Sequence, residues 1–288
     1  MESGGFSLHG MDFSSAPTRR KPIVIAHGSW LAAQPDRITL DGFTRLDTLD
    51  AFSQWLLQPG PWLGVFDLPF GLPRELINSL RWPGHDGDDA PLPWKRLIQH
   101  LRIQTRADLR AVFRQFCAER LAGAKFAHRA CDRPAGSSPS MKWVNPPVAW
   151  MLHAAAPLLL DAGVDLPGLH SGDPQRVALE GYPGVAARAV LGRRSYKSDD
   201  RNKHTAERQH AREVLLHVLQ SGQHPLGARL LCTAELRQTM LLDASGDSLD
   251  AALCLLQAAW ASARRTQNWG LPPQIDPVEG WIVSVPPN

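Results

Sequence analysis

Trp62-Leu-Gly-Val-Phe-Asp-Leu-Pro-Phe-Gly-Leu-Pro73 is an apolar run that meets one aspartate and then a turn rich in proline and glycine. Its first residues show no polar alternation, the pattern of a strand covered on both faces, as in the interior of an α/β sheet. Upstream, Thr48 to Leu57 sets Leu49, Phe52, Trp55 and Leu56 at helical spacing and is ended by Pro59-Gly60. Before that helix, Pro22 to Trp30 contains Ile23-Val-Ile25, and Arg37 to Leu40 carries β-branched residues ahead of Asp41-Gly42. These read as two strands joined by a Pro-Asp turn. Leu8-His-Gly-Met-Asp-Phe-Ser-Ser15 fits a first strand that ends in small polar residues. Three strands, a helix and an interior strand predict an antiparallel meander followed by a parallel strand in an α/β protein.

Downstream, Pro83 to Pro93 reads as a loop, and Leu97 to Leu121 as one or two amphipathic helices. Arg102, Arg106, Arg110 and Arg114 recur every fourth residue, which makes a slowly drifting stripe if the helix is continuous. Asp132 to Pro147 returns to loop chemistry, and Pro147 to Ala162 is an apolar helix. Gly163 to Pro174 is a loop leading into a fifth strand, Arg176-Val-Ala-Leu-Glu180. Asp199 to Leu219 and Gly246 to Arg265 read as helices, and Trp281-Ile-Val-Ser-Val285 as a terminal strand. The most apolar stretch, Val148 to Leu160, contains His153 and Pro157 and falls short of the ~20 residues a bilayer demands. No membrane association is expected. Met1 to Gly10 lacks the basic head and apolar run of a secretory leader, so the expected compartment is the cytoplasm.

The 288 residues are long enough to bury a sizeable core, and 43% hydrophobic with 20% charged residues excludes collagen-like, coiled-coil and wholly disordered chains. Cys117, Cys131, Cys232 and Cys254 form no Cys-x-x-Cys pair, which argues against a disulfide framework or a zinc site. The net charge of +3 hides an asymmetry. Trp94 to Arg133 holds ten Lys/Arg against three Asp/Glu, and Gly192 to Arg212 seven against three. The rest of the chain is therefore acidic, and a basic face toward a polyanion is expected, with solvated arginine-lined helix faces as the plainer alternative.

Four acids stand out by position: Asp12 ending the first strand, Asp67 ending the interior strand, and Asp247 and Asp250 opening a late helix. Asp247 and Asp250 are three apart and project from one helical face. Crowded carboxylates repel, and the usual compensation is a hard cation such as magnesium or manganese bound through oxygen. Two such ions activate water and stabilise the leaving oxygen of a phosphodiester. Taken singly, each acid also has a structural use: Asp67 caps a turn, Asp247 caps a helix, and Asp250 favours the helix dipole. No helical histidine pair, Gly-x-Ser-x-Gly elbow, phosphate-binding loop or dinucleotide fingerprint is present. Trp143 and Trp150 flank the basic loop region as stacking candidates or, more plainly, core residues.

Gly10-Met-Asp-Phe-Ser-Ser15, Phe66-Asp-Leu-Pro-Phe-Gly-Leu-Pro73, Leu179-Glu-Gly-Tyr-Pro183, Gly246-Asp-Ser-Leu-Asp-Ala-Ala252 and Glu279-Gly-Trp-Ile-Val-Ser-Val-Pro286 occur in this order. The ordered set resembles the domain-of-unknown-function family numbered 429, described as predicted ribonuclease-H-like nucleases. The resemblance implies a mixed five-stranded sheet, three antiparallel strands leading, in one domain over 8–286 with a helical insertion over 73–172. It also implies a metal site of Asp12, Asp67, Asp247 and Asp250, with Glu180 as a further ligand or a base that orients the water. Lys197, Arg193, Arg194, Arg102 and Arg106 are the expected phosphate contacts. The expected function is a magnesium- or manganese-dependent phosphodiesterase acting on nucleic acid. Two alternatives stand beside it: a non-catalytic nucleic-acid-binding module on the same fold, and an actin-like nucleotide-binding phosphotransferase, which normally needs two such domains.

Overall fold

Residues 6–31, 34–121 and 123–287 are described by a computed structural model of the chain. Strands β1 (Ser7–Asp12), β2 (Ile23–Leu31) and β3 (Gln34–Leu46) pair antiparallel in sequence order. Helix α1 (Leu49–Leu56), capped by the Thr48 hydroxyl, then carries the chain across to β4 (Trp62–Asp67), which lies parallel to β1. The crossover places Asp12 directly opposite Asp67 in register.

Between β4 and β6 the chain forms α2 (Arg74–Leu80), α3 (Pro93–Arg102), α4 (Arg106–Ala118), the short α5 (Asp132–Ala135), α6 (Val148–Ala162) and β5 (Val164–Asp165). Strand β6 (Asp173–Glu180) pairs parallel with β4. Then follow α7 (Pro183–Leu191), α8 (Ala206–Ser221), β7 (Arg229–Leu231), α9 (Ala234–Leu242) and α10 (Asp247–Ser262). Among the described residues the sheet has seven strands in the order β5-β6-β4-β1-β2-β3-β7, mixed in direction, with helices on both faces. This is an α/β architecture consistent with a ribonuclease-H-like fold.

The alternation of each strand divides the core. Met11, Ile23, Ile25 and Phe66 face α1, α3 and α6, with Trp94, Leu97 and Leu159 among their neighbours in one buried cluster. Leu8, Val24, Ala26 and Val65 face the other way, onto α8 and α10. Helix α10 is apolar nearly all round because the sheet, α7 and α9 enclose it. It sits so close to β1 that a Cβ on Gly10 would stand 2.0 Å from the Leu255 amide nitrogen and 2.1 Å from the Ala251 carbonyl oxygen. Glycine at position 10 is what lets the helix settle onto the strand.

Several elements differ from their sequence reading. The sheet gains two short edge strands, β5 and β7, beyond the five expected. Leu31 pairs with Gln34, which puts the Pro-Asp dipeptide inside β3 beside an irregularity in register and not in the connection between the strands. The helix expected from Asp199 starts only at Ala206, where the Thr205 hydroxyl accepts the Arg208 amide. The terminal strand reduces to one bridge between Ile282 and Glu180, because Ser284 turns to φ 69°. The arginine stripe is broken: Arg102 ends α3, and a Thr105–Asp108 capping box starts α4 anew. Among the described residues no helix is long and apolar enough to cross a membrane.

Candidate metal centre

Asp12 and Asp67 project from the carboxyl ends of neighbouring parallel strands, and Asp250 from the first turn of α10, which Gly10 seats over them. One carboxylate oxygen from each of the three lies within 4.8 Å of the other two. Asp12 and Asp250 are buried, and Asp67 is partly open to the adjoining cleft. The start of α10 is built to hold this position. Asp243 accepts the Ser248 amide at 2.8 Å and the Ser248 hydroxyl at 2.7 Å, and Arg45 donates to Ser248 Oγ at 2.7 Å. Asp243 thus satisfies helix amides that Gly246, the N-cap, has no side chain to reach. Gly246 takes φ +84°, and a Cβ there would stand 2.7 Å from the Lys197 Cβ. Its hydrogen is what lets the lysine lie across the helix end.

Lys197 donates to Asp250 Oδ2, and the Tyr196 hydroxyl to Asp250 Oδ1. Consecutive residues therefore take both oxygens of the deepest carboxylate. Burial, then the charge of Asp250, raises the Asp12 pKa well above the usual carboxylate range; Lys197 opposes this, and Asp247 and Asp67 add to it. Asp67 is pushed up to about 7 by burial, with Asp250 and Glu180 adding repulsion and Lys197 relieving it. Asp250 is raised by burial despite Lys197 and Tyr196. Burial works against the Lys197 ammonium, yet Asp250, Tyr196, Asp12 and Asp67 hold its pKa well above the ordinary lysine value. All three acids gain from a positive charge placed among them.

The other expected site residues fall out differently. Asp247 lies beside the trio and outside it, raised in pKa by burial and Asp243 and relieved by Lys21, which itself pairs with Asp199. Glu180 is enclosed by another partner. Arg129 forks onto it at 2.6 and 2.7 Å, and the Phe70 amide donates to the same carboxylate at 2.9 Å. Arg129 also binds Asp132 and the Glu279 carbonyl, and the Glu279 carboxylate accepts the Arg74 and Ala130 amides. Both Glu180 oxygens take part in this buried network, which ties the segment carrying Arg129 and the Glu279 turn to β6.

A cleft of about 620 Å³ opens beside Asp67, with Arg193, Arg194 and Lys197 along one wall. Arg106, at the start of α4, donates to the Ser15 carbonyl at 3.0 Å, three residues past Asp12. Arg102 does not approach it; it pairs with Asp161 at the far end of α6. Trp143 and Trp150 are buried in the core, which withdraws them as stacking candidates. Sequence reasoning missed Tyr196, Asp243 and Arg129. Tyr196 had one signal, as one of only two tyrosines and the neighbour of Lys197.

A family model described as "Protein of unknown function (DUF429)" matches residues 25–274. The chain belongs to this family. Asp12 and the Glu279 motif lie just outside the matched span, while Asp67, Glu180, Asp247 and Asp250 lie within it. No curated protein and no solved structure matches the chain.

Proposed function

We propose that this member of the DUF429 family is a divalent-cation-dependent phosphodiesterase acting on nucleic acid. The observation that carries the reading is the convergence of Asp12, Asp67 and Asp250 at the edge of a cleft walled by Arg193, Arg194 and Lys197. The donor set fits a hard cation: three carboxylates, each destabilised as an anion by burial and its neighbours, already drawing in an ammonium. Magnesium or manganese held there supplies an activated water and polarises a phosphoryl oxygen. Asp12, Asp67 and Asp250 are the proposed ligands, with Asp247 held in reserve beside them. Tyr196 fixes the rotamer of Asp250 through its hydroxyl. Arg193, Arg194 and Lys197 bind the phosphates that place a scissile bond at the trio.

The ion pair of Lys197 with Asp250 favours a second reading, in which the acids are compensated internally and the protein only binds nucleic acid. Manganese binding separates the two. Wild type is expected to bind Mn²⁺ in electron paramagnetic resonance titrations and to cleave labelled nucleic acid in a chelator-sensitive manner, and Asp12→Asn to lose both while remaining folded. Cleavage unaffected by chelator, or Mn²⁺ binding unchanged in Asp12→Asn, overturns the metal reading. Binding of nucleic acid without any Mn²⁺ binding establishes the second.

A further inference from the structure

The cleft beside Asp67 continues past its own wall. Arg194 and Ser195 line it, and they also line a second depression of about 380 Å³ bounded by Asn202, Lys203, Thr205 and Arg208. We infer that the two form one path for a single strand of nucleic acid, which runs from Asp67 along residues 193–197 and over Arg194 toward the start of α8. This rests on the nuclease reading of the trio and adds the substrate class to it.

Size bears on strandedness. The first cleft falls within the roughly 300–1,000 Å³ of sites that enclose a small ligand. That volume accepts a nucleotide or two with bases unpaired, whereas a duplex keeps its bases stacked inside a wide rod and can offer only its outer phosphates. The walls suit an unpaired strand. Tyr182, partly exposed, carries the Arg188 guanidinium 5.2 Å over its ring, a planar platform of the kind on which bases stack. Met151, Val148 and Pro69 add apolar surface to the lining. The cations of the path are accessible: Arg193, Arg194 and Lys203 are exposed, the Arg194 guanidinium donates to the Leu191 carbonyl at 3.4 Å, and Lys203 stands 3.5 Å from Asp200. Four acids also line the path: Asp67 of the trio, Glu180, which Arg129 holds, Asp199 and Glu207. Asp199 is neutralised by Lys21, and Glu207 lies at the far depression. A free nucleotide would fill the first cleft and leave the second unused; the shared Arg194 is what favours a longer strand.

The test is fluorescence anisotropy on the full chain in chelator, so that cleavage plays no part. Labelled 12-nucleotide single strands of DNA and RNA are compared with a blunt duplex of the same sequence, with a mononucleotide as competitor. The expected result is at least tenfold tighter binding of a single strand than of duplex. Log affinity should fall linearly with log salt, with a slope of about −0.7 per phosphate neutralised. The double variant Arg194→Glu/Lys203→Glu should weaken single-strand binding at least tenfold and flatten that slope, while Arg114→Glu, exposed on α4 and in neither lining, should not. Both altered residues are exposed, and circular dichroism checks that the variant folds. Duplex binding as tight as single-strand binding, an unaffected double variant, or a mononucleotide that competes as well as the 12-mer overturns the inference. Failure of the nuclease reading shows instead as absent cleavage with Mn²⁺ while strand binding persists.

Discussion

Asp67→Asn should stabilise the metal-free protein at alkaline pH and lose that advantage in acid. The Asp67 carboxyl is raised from its ordinary 3.8 to about 7, chiefly by burial, with Asp250 and Glu180 adding to the shift. In the unfolded chain it titrates near the ordinary value, so between these limits the folded state holds a proton that the unfolded state has released. Stability contributed by that proton is complete below pH 4 and is lost as pH rises toward 7. At about 1.36 kcal/mol per pKa unit the loss approaches about 4 kcal/mol; water at the partly open side chain brings the expected figure to the order of 2–3 kcal/mol. Asparagine keeps the shape and removes the titration. Urea unfolding followed by tryptophan fluorescence, in chelator from pH 4 to 8, should show the variant equal to wild type in acid and more stable by that margin at pH 8. Mn²⁺ at a thousand times its Kd should reverse the order, because it adds about 4.1 kcal/mol to the form that binds it. A gap independent of pH, or an order unchanged by Mn²⁺, refutes the reasoning.

Gly10→Ala drives a methyl into the backbone of α10, so a loss of about 3 kcal/mol or more in urea unfolding is expected, together with weakened Mn²⁺ binding because Asp250 rides on that helix. Glu180→Gln leaves Arg129 short of a buried counter-charge and should cost about 3–5 kcal/mol while Mn²⁺ affinity in the folded variant is kept; a variant that folds normally but loses the metal returns Glu180 to the ligand set. His9, whose Nδ1 meets His27 Nδ1 at 3.0 Å, is lowered from 6.5 to about 3 by burial and by the charge of His27. Its stabilising effect is full above pH 6.5 and is lost as pH falls toward 3, by up to about 5 kcal/mol, so His9→Gln should flatten the acid limb of the stability profile that Asp67 tilts the other way.

The central strands, α1 and α10 were legible because burial writes itself into periodicity: Trp62 to Phe66 is apolar throughout and is covered on both faces. Strands β5 and β7 were not, since two and three residues carry no alternation and pair only because the sheet edge is there to receive them. The break after Arg102 could have been read, for Thr105 with Asp108 is a capping box, but the four-residue arginine period continued across it. Which acids meet was beyond composition: Asp12 and Asp67 become neighbours through a parallel pairing across 55 positions, and only the order of the motifs pointed to it. Glu180 shows the reverse. A carboxylate at a strand end reads alike as ligand or as ion-pair partner, and the arginine that takes it lies 51 residues away in a loop.

The two acidic centres at neighbouring strand ends differ in how their charge is met, and that difference supports the placing of a cation. Glu180 faces a guanidinium in bidentate contact and a backbone amide, and Asp132 shares that arginine. Every charge there has a partner within hydrogen-bonding distance. Asp12, Asp67 and Asp250 share one ammonium, so three carboxylates and Lys197 leave two negative charges short. Protons can make up the deficit in acid, which is what the raised pKa of Asp67 expresses, but above pH 7 that proton leaves. A divalent cation matches the remaining charge without protonating any ligand. Glu180 borders the same cleft with its charge already met by Arg129, whereas Asp67 faces the cleft without such a partner, the direction from which a hydrated ion and a phosphate can both arrive.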